Sequence, residues 1–144
     1  YYDVEPACWF TSYLIGDRTV CVHDAIVRNK GQVLQSVGWA PFRSRRSAVV
    51  SQLMSSLPKA DPTVLWIHLD SRLAYAQNPL HKVAMRQLST LVAESDRAGR
   101  MVVIEGSYSE VHWKAVVQQL LGPQAQHTCI HWCGLGIKLN DQPR

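Results

Sequence analysis

Two carboxylates, Asp70 and Glu105, each follow directly on an apolar run, residues 63–69 and 101–104. If those runs are neighbouring strands, the pair suits acid/base work or the holding of a divalent cation, because hard cations take oxygen ligands and proton transfer needs a positioned carboxyl group. His68, Ser71 and Arg72 around the first carboxylate, and Ser107 and Tyr108 after the second, are then the expected substrate-binding groups. A structural role competes with this one: either carboxylate can cap the helix that follows, and Asp70 can pair with Arg72. Ser107 also precedes a helical run, where serine is a common N-cap. No Gly-x-Ser-x-Gly elbow surrounds it, so it is not read as a hydrolase nucleophile.

Two further groups carry reactive residue types. His127, Cys129, His131 and Cys133 alternate along one apolar segment, so a strand there sets all four zinc-ligand types on one face. Alternate side chains of a straight strand stand roughly 6.5–7 Å apart, too far for four of them to meet on one tetrahedral ion. A packed face of thiols and imidazoles is the simpler reading, and no metal site is assigned. Arg43, Arg45 and Arg46 form the dense basic cluster of the chain, just after Trp39 and Phe42. They are the expected nucleic-acid contacts; their bland alternative is a solvated helix start.

The elements that would position these residues follow from periodicity. Residues 19–27 and 31–39 are rich in β-branched types around Arg28-Asn29-Lys30-Gly31, which predicts a β-hairpin. Ala48, Val49, Leu53, Met54 and Leu57 recur at helical spacing, with Ser44 as N-cap and Pro58 as stop. The apolar run at 63–69 predicts a strand covered on both faces. Val83, Ala84, Leu88, Leu91, Val92 and Ser95 predict a crossover helix ended by Gly99. A buried strand at 101–104, a helix at 110–121 closed by Gly122-Pro123, and a final strand at 127–133 complete the pattern.

The expected fold class is therefore α/β: a three-layer parallel-sheet domain of Rossmann-like type with an N-terminal β-hairpin. One domain spans 1–144, with a β-rich part at 1–42 and an αβαβαβ core at 43–144. In open sheets of this kind ligands bind outside the carboxyl ends of the strands. That rule selects the loops opening at His68, Glu105 and Cys133-Gly134-Leu135-Gly136.

Composition agrees with a single core. The 144 residues are 47% hydrophobic and 18% charged, which excludes a disordered chain. No apolar run approaches the roughly 20 residues of a membrane-spanning helix, and the start lacks the plan of a secretory signal. A soluble intracellular protein, cytoplasmic or nuclear, is expected, with no membrane partner. Its four cysteines form no dense disulfide framework. A net charge of +4 tilts the choice of partner towards anions such as nucleic acid. The chain opens at Tyr1 without methionine, which fits a processed product or a piece of a longer chain.

The order of the last eighty or so residues resembles the methyltransferase-like segment of C5-cytosine DNA methyltransferases, including diverged copies in retroelement-type polyproteins. The likeness lies in the succession of 64–69, the helix through Leu88, Val102-Val103-Ile104-Glu105, Trp113 and the Cys133-Gly134-Leu135-Gly136 turn. It implies a catalytic-type role for Glu105. The sequence departs from the family at two places: His68-Leu69-Asp70-Ser71 occupies the nucleophile loop without a cysteine, and Gly106 stands where the family has asparagine. Covalent attack on cytosine needs a thiolate, so the resemblance implies a dead site. S-adenosylmethionine is implied only if a cofactor-binding segment lies upstream.

The leading expectation is thus a degenerate, non-catalytic methyltransferase-like domain, a module of a mobile-element polyprotein that contacts nucleic acid or protein. Its rivals are a metal-dependent phosphodiester hydrolase using Asp70 and Glu105 and a structural interaction subunit.

Overall fold

The computed structural model describes residues 10–17, 19–69, 79–106, 113–122, 138–139 and 142–143. Strand β1 (Thr11–Ile15) leads through helix α1 (Val20–Arg28) to β2 (Gln32–Val37). A 3-10 turn (Ala40–Arg43) and α2 (Ala48–Ala60) lead to β3 (Val64–His68), then α3 (Pro79–Arg97) to β4 (Met101–Glu105), followed by α4 (Trp113–Leu121). The four strands form one all-parallel sheet in the order β2-β1-β3-β4. A short antiparallel pair, β5 (Lys138–Leu139) and β6 (Gln142–Pro143), forms a second sheet.

The expected α/β parallel sheet is present, but the N-terminal hairpin is not. Residues 20–28 are helix α1, and β2 runs parallel to β1, a strand that the sequence reading passed over. The β-branched run yields to its context, because parallel neighbours cannot be joined by a tight turn and need a crossover. The segment read as the hairpin turn ends the helix instead. Lys30 adopts φ 63° and Gly31 N–H donates to the Ile26 carbonyl at 2.8 Å. A Cβ at Gly31 would lie 2.7 Å from Ile26 Cγ2 and 2.9 Å from Phe10 Cζ, so any larger residue there must push those side chains aside.

Two more boundaries differ from expectation. Ser47, not Ser44, caps α2, its Oγ accepting from Val50 N at 3.3 Å. Pro58 lies inside that helix, which continues to Ala60 because Leu57 is fully buried and its carbonyl still receives Asp61 N at 2.9 Å. Gly99, at φ 79°, ends α3 as expected, and Arg100 N–H closes the cap on the Ser95 carbonyl at 2.9 Å. Gly122 ends α4 with φ 81°. The strand expected at 127–133 lies outside the described residues.

The sheet separates two faces. Tyr13 and Ile15 of β1, Val37 of β2, and Leu65 and Ile67 of β3 join α2 (Val50, Leu53, Leu57), α3 (Ala84, Leu88, Leu91) and α4 (Val116, Leu120) in one core, with Val102 and Ile104 of β4 against it. By alternation Ser12, Leu14, Trp66, His68, Val103 and Glu105 leave the opposite face. Helix α1 contributes no residue to the α2–α3–α4 core, as the right-handed crossover from β1 to β2 on the other face requires. At the amino edge Arg100, its side chain 4% exposed, donates to Asp61 Oδ1 at 3.1 Å and to the Leu57 carbonyl at 3.3 Å, tying the end of α2 to the start of β4. No helix among the described residues is long and apolar enough to cross a membrane.

Replacing Ile67 with alanine empties part of this core and is expected to cost about 2–5 kcal/mol in urea unfolding. Val20 is 70% and Val27 54% exposed on α1, so alanine at either should change stability by no more than about 0.5 kcal/mol. Larger losses at both would contradict the helix and favour a packed strand.

Candidate functional site

The carboxyl ends of the four strands are tied into one rim by a chain of hydrogen bonds. After β1, Gly16 N–H donates to the Val37 carbonyl at 2.8 Å. Asp17 Oδ1 then accepts from Trp39 N at 2.9 Å, and the Trp39 indole N–H reaches the His68 carbonyl at 2.9 Å. Leu69 N–H completes the series by donating to the Glu105 carbonyl at 2.9 Å. Because β2 and β3 lie two strand spacings apart, roughly 9.6 Å, the Trp39 side chain must cross the end of β1 to make its bond.

That crossing explains the glycines at the strand ends. Gly16 has φ 132°, and a Cβ there would lie 2.6 Å from the His68 carbonyl oxygen. A Cβ on Gly38 would lie 2.8 Å from Asp17 Oδ1, displacing the carboxylate that holds Trp39. Trp39 is fully buried and meets Phe42 edge to face, with ring centroids 5.8 Å apart.

His68 and Glu105 come together. They are partners in the β3–β4 register, so an imidazole and a carboxylate leave the same face of the sheet side by side. Both are half-buried. Trp66, one register step back on that face, donates its indole N–H to Glu105 Oε1 at 2.9 Å, fixing the carboxylate's orientation and leaving Oε2 without a described partner. Such a pair can exchange protons with a ligand or contribute to a cation site. Among the described residues no group of three or more His, Cys, Asp and Glu is placed to hold a metal. The free cysteine described is Cys21, exposed on the first turn of α1 and not at the end of β3 or β4. Asp70, Ser71, Arg72, Ser107 and Tyr108 lie outside the described residues.

The basic cluster takes a different side. Arg43 ends the 3-10 turn half-buried, and Arg45 and Arg46 are exposed in the turn that follows. Gln87 of α3 clamps this segment, its side-chain amide donating to the carbonyls of Phe42 at 2.6 Å and Ser44 at 3.0 Å. The turn leads from the carboxyl end of β2 into α2, so the arginines belong to the rim on the α2–α3 side, while the Glu105 and His68 side chains leave the opposite face.

Sequence reasoning missed Gly16, Asp17 and the role of Trp39 because β1 was not recognised. The signal was present: Tyr13-Leu14-Ile15 followed by Gly16-Asp17 is an apolar run ending in a polar turn, the pattern that identified the other strand ends. Comparison of the chain with protein-family models, with curated proteins and with solved structures returned no match.

Gly16→Ala combines the strained φ with a contact against backbone and is expected to destabilise by about 2 kcal/mol or more. Trp39→Phe keeps most of the packing and removes the donor to His68, for an expected loss of about 1–3 kcal/mol. Urea midpoints of the two variants check both, and a neutral Gly16→Ala would refute the close approach of β1 to β3.

Proposed function

We propose that this chain is a non-catalytic α/β domain, methyltransferase-like in plan, that contacts nucleic acid through the basic side of its carboxyl rim. The observation that carries the reading is the Gln87 clamp: two side-chain hydrogen bonds hold the arginine turn against α3, so its exposed cations are presented from a braced backbone. A fixed cluster of like charges loses less conformational freedom on meeting phosphates than a loose one does. Arg45 and Arg46 form no ion pair with any described residue, so neither gives up a described carboxylate on binding. The methyltransferase-like plan rests on the order of the sequence elements. The non-catalytic part rests on the missing thiol at the end of β3, where the chain reads His68-Leu69-Asp70-Ser71.

Fluorescence anisotropy with labelled DNA and RNA tests the contact. Arg45→Gln/Arg46→Gln should weaken binding and make log K less steep in log salt by about two, one phosphate contact per arginine. Affinity that ignores both salt and these arginines would overturn the reading. Methyl transfer from labelled S-adenosylmethionine to DNA is expected to be absent; turnover abolished by Glu105→Gln would show a living catalyst instead.

A second reading draws on the adjacency of β3 and β4, which gives Glu105 the imidazole of His68 as its neighbour. Here the domain is a metal-dependent phosphodiester hydrolase that uses Asp70 and Glu105. Nuclease activity appearing with added magnesium or manganese and lost in both Asp70→Asn and Glu105→Gln would favour it over the first.

A further inference from the structure

We infer that the nucleic-acid surface continues from the arginine turn along the exposed face of α3, through Lys82 and Arg86, and that it grips the phosphodiester backbone without reading bases. This rests on the nucleic-acid reading above and specifies what that reading leaves open: where the strand lies and what is recognised.

The first ground is charge. Lys82 and Arg86 are exposed one helical turn apart, about 5–6 Å along the axis, and Arg86 directly precedes the Gln87 that clamps the arginine turn. The 3-10 turn that carries Arg43 packs on this same helix. Residues 39–60 and 79–93 contain no aspartate or glutamate, so the turn, α2 and most of α3 form an acid-free unit within a chain of net charge +4. The acidic residues of α3, Glu94 and Asp96, stand at its far end, where Glu94 Oε2 pairs with Arg97 at 3.0 Å. Neither Lys82 nor Arg86 is paired with a described carboxylate. Cations drawn from two elements, with none of Arg45, Arg46, Lys82 and Arg86 paired with a described carboxylate, match a polyanion with regularly spaced charges.

The second ground is what the surface lacks. Trp39 and Phe42, the aromatic residues next to the arginines in sequence, are fully buried in the core and offer no platform on which a base could stack. Thr90 and Ala93 are the exposed neighbours of Arg86 on the following turns, small groups that allow close approach of a phosphate backbone. With no large apolar side chain among them, this face of α3 is poorly suited to insertion into lipid, which favours nucleic acid over an anionic membrane.

The test uses the whole chain and fluorescence anisotropy across a salt series, with two duplexes of unrelated sequence and equal length and one single strand. Lys82→Gln/Arg86→Gln should lower the salt slope by about two, and Arg97→Gln on the same helix should leave it unchanged. The two duplexes should bind equally, and no more weakly than the single strand. If the Lys82/Arg86 variant keeps the wild-type slope while Arg45→Gln/Arg46→Gln lowers it, the surface does not extend along α3, although the nucleic-acid reading stands. A preference of about tenfold for one duplex, or for the single strand, means that bases are read and overturns the backbone-only contact. Binding to phosphatidylserine vesicles through Lys82 and Arg86, with no binding to any nucleic acid, overturns the inference and the reading together.

Discussion

Each strand of the main sheet runs parallel to its neighbours, and the end of one parallel strand lies a full strand length from the start of the next. Every connection must therefore travel back across a face of the sheet, and most of the architecture follows from that. The chain leaves β1 by α1 on one face, then returns twice on the other by α2 and α3, passing over β1 to lay down β3 and β4 beyond it. The strand order β2-β1-β3-β4 puts β1 and β3 side by side although α1, β2 and α2 separate them in the chain. Their ends meet at the contact between Gly16 and His68.

The same constraint collects all the strand ends at one rim and sorts the chemistry by face. Trp39 belongs to the core on the α2–α3 side and spans the end of β1, so the rim there is filled by an indole tied to Asp17 through its backbone and to His68 through its ring nitrogen. Glu105, held by Trp66, and its neighbour His68 leave the other face. The cations of the 43–46 turn and of α3 lie on the core side. Two groups of side chains, a carboxylate with an imidazole on one face and the arginines of the 43–46 turn on the other, thus share a rim without sharing a face.

Reading periodicity worked where it was backed by punctuation. The helix through Leu88 ended at Gly99, the helix before Gly122 ended there, and the runs near Leu65 and Val103 became adjacent strands, because apolar spacing and an αL glycine are local properties that tertiary packing had no reason to override. It failed on Val20-Cys21-Val22, whose β-branched side chains suit a strand in isolation. Only the parallel partnership of β1 with β2 makes that segment a crossover helix, and with β1 overlooked that partnership was hidden. Of the candidate site residues, Glu105 could be named from its position after an apolar run and His68 from its place at the end of one. Asp17 follows an apolar run in the same way, but its partner Trp39, 22 positions away, shows only in the fold.

What the amino-acid order determined alone is the α/β class, the α2 to β4 succession and the polar character of the strand ends, because these depend on spacing within a few residues. The tertiary structure decided which strands are neighbours, which face each polar group leaves by, and that Gln87 of α3 holds a turn some forty positions earlier in the chain. Those outcomes depend on long-range pairing and on buried contacts such as Gly16 against His68, and no local pattern encodes the distance between residues that the chain brings together only by folding.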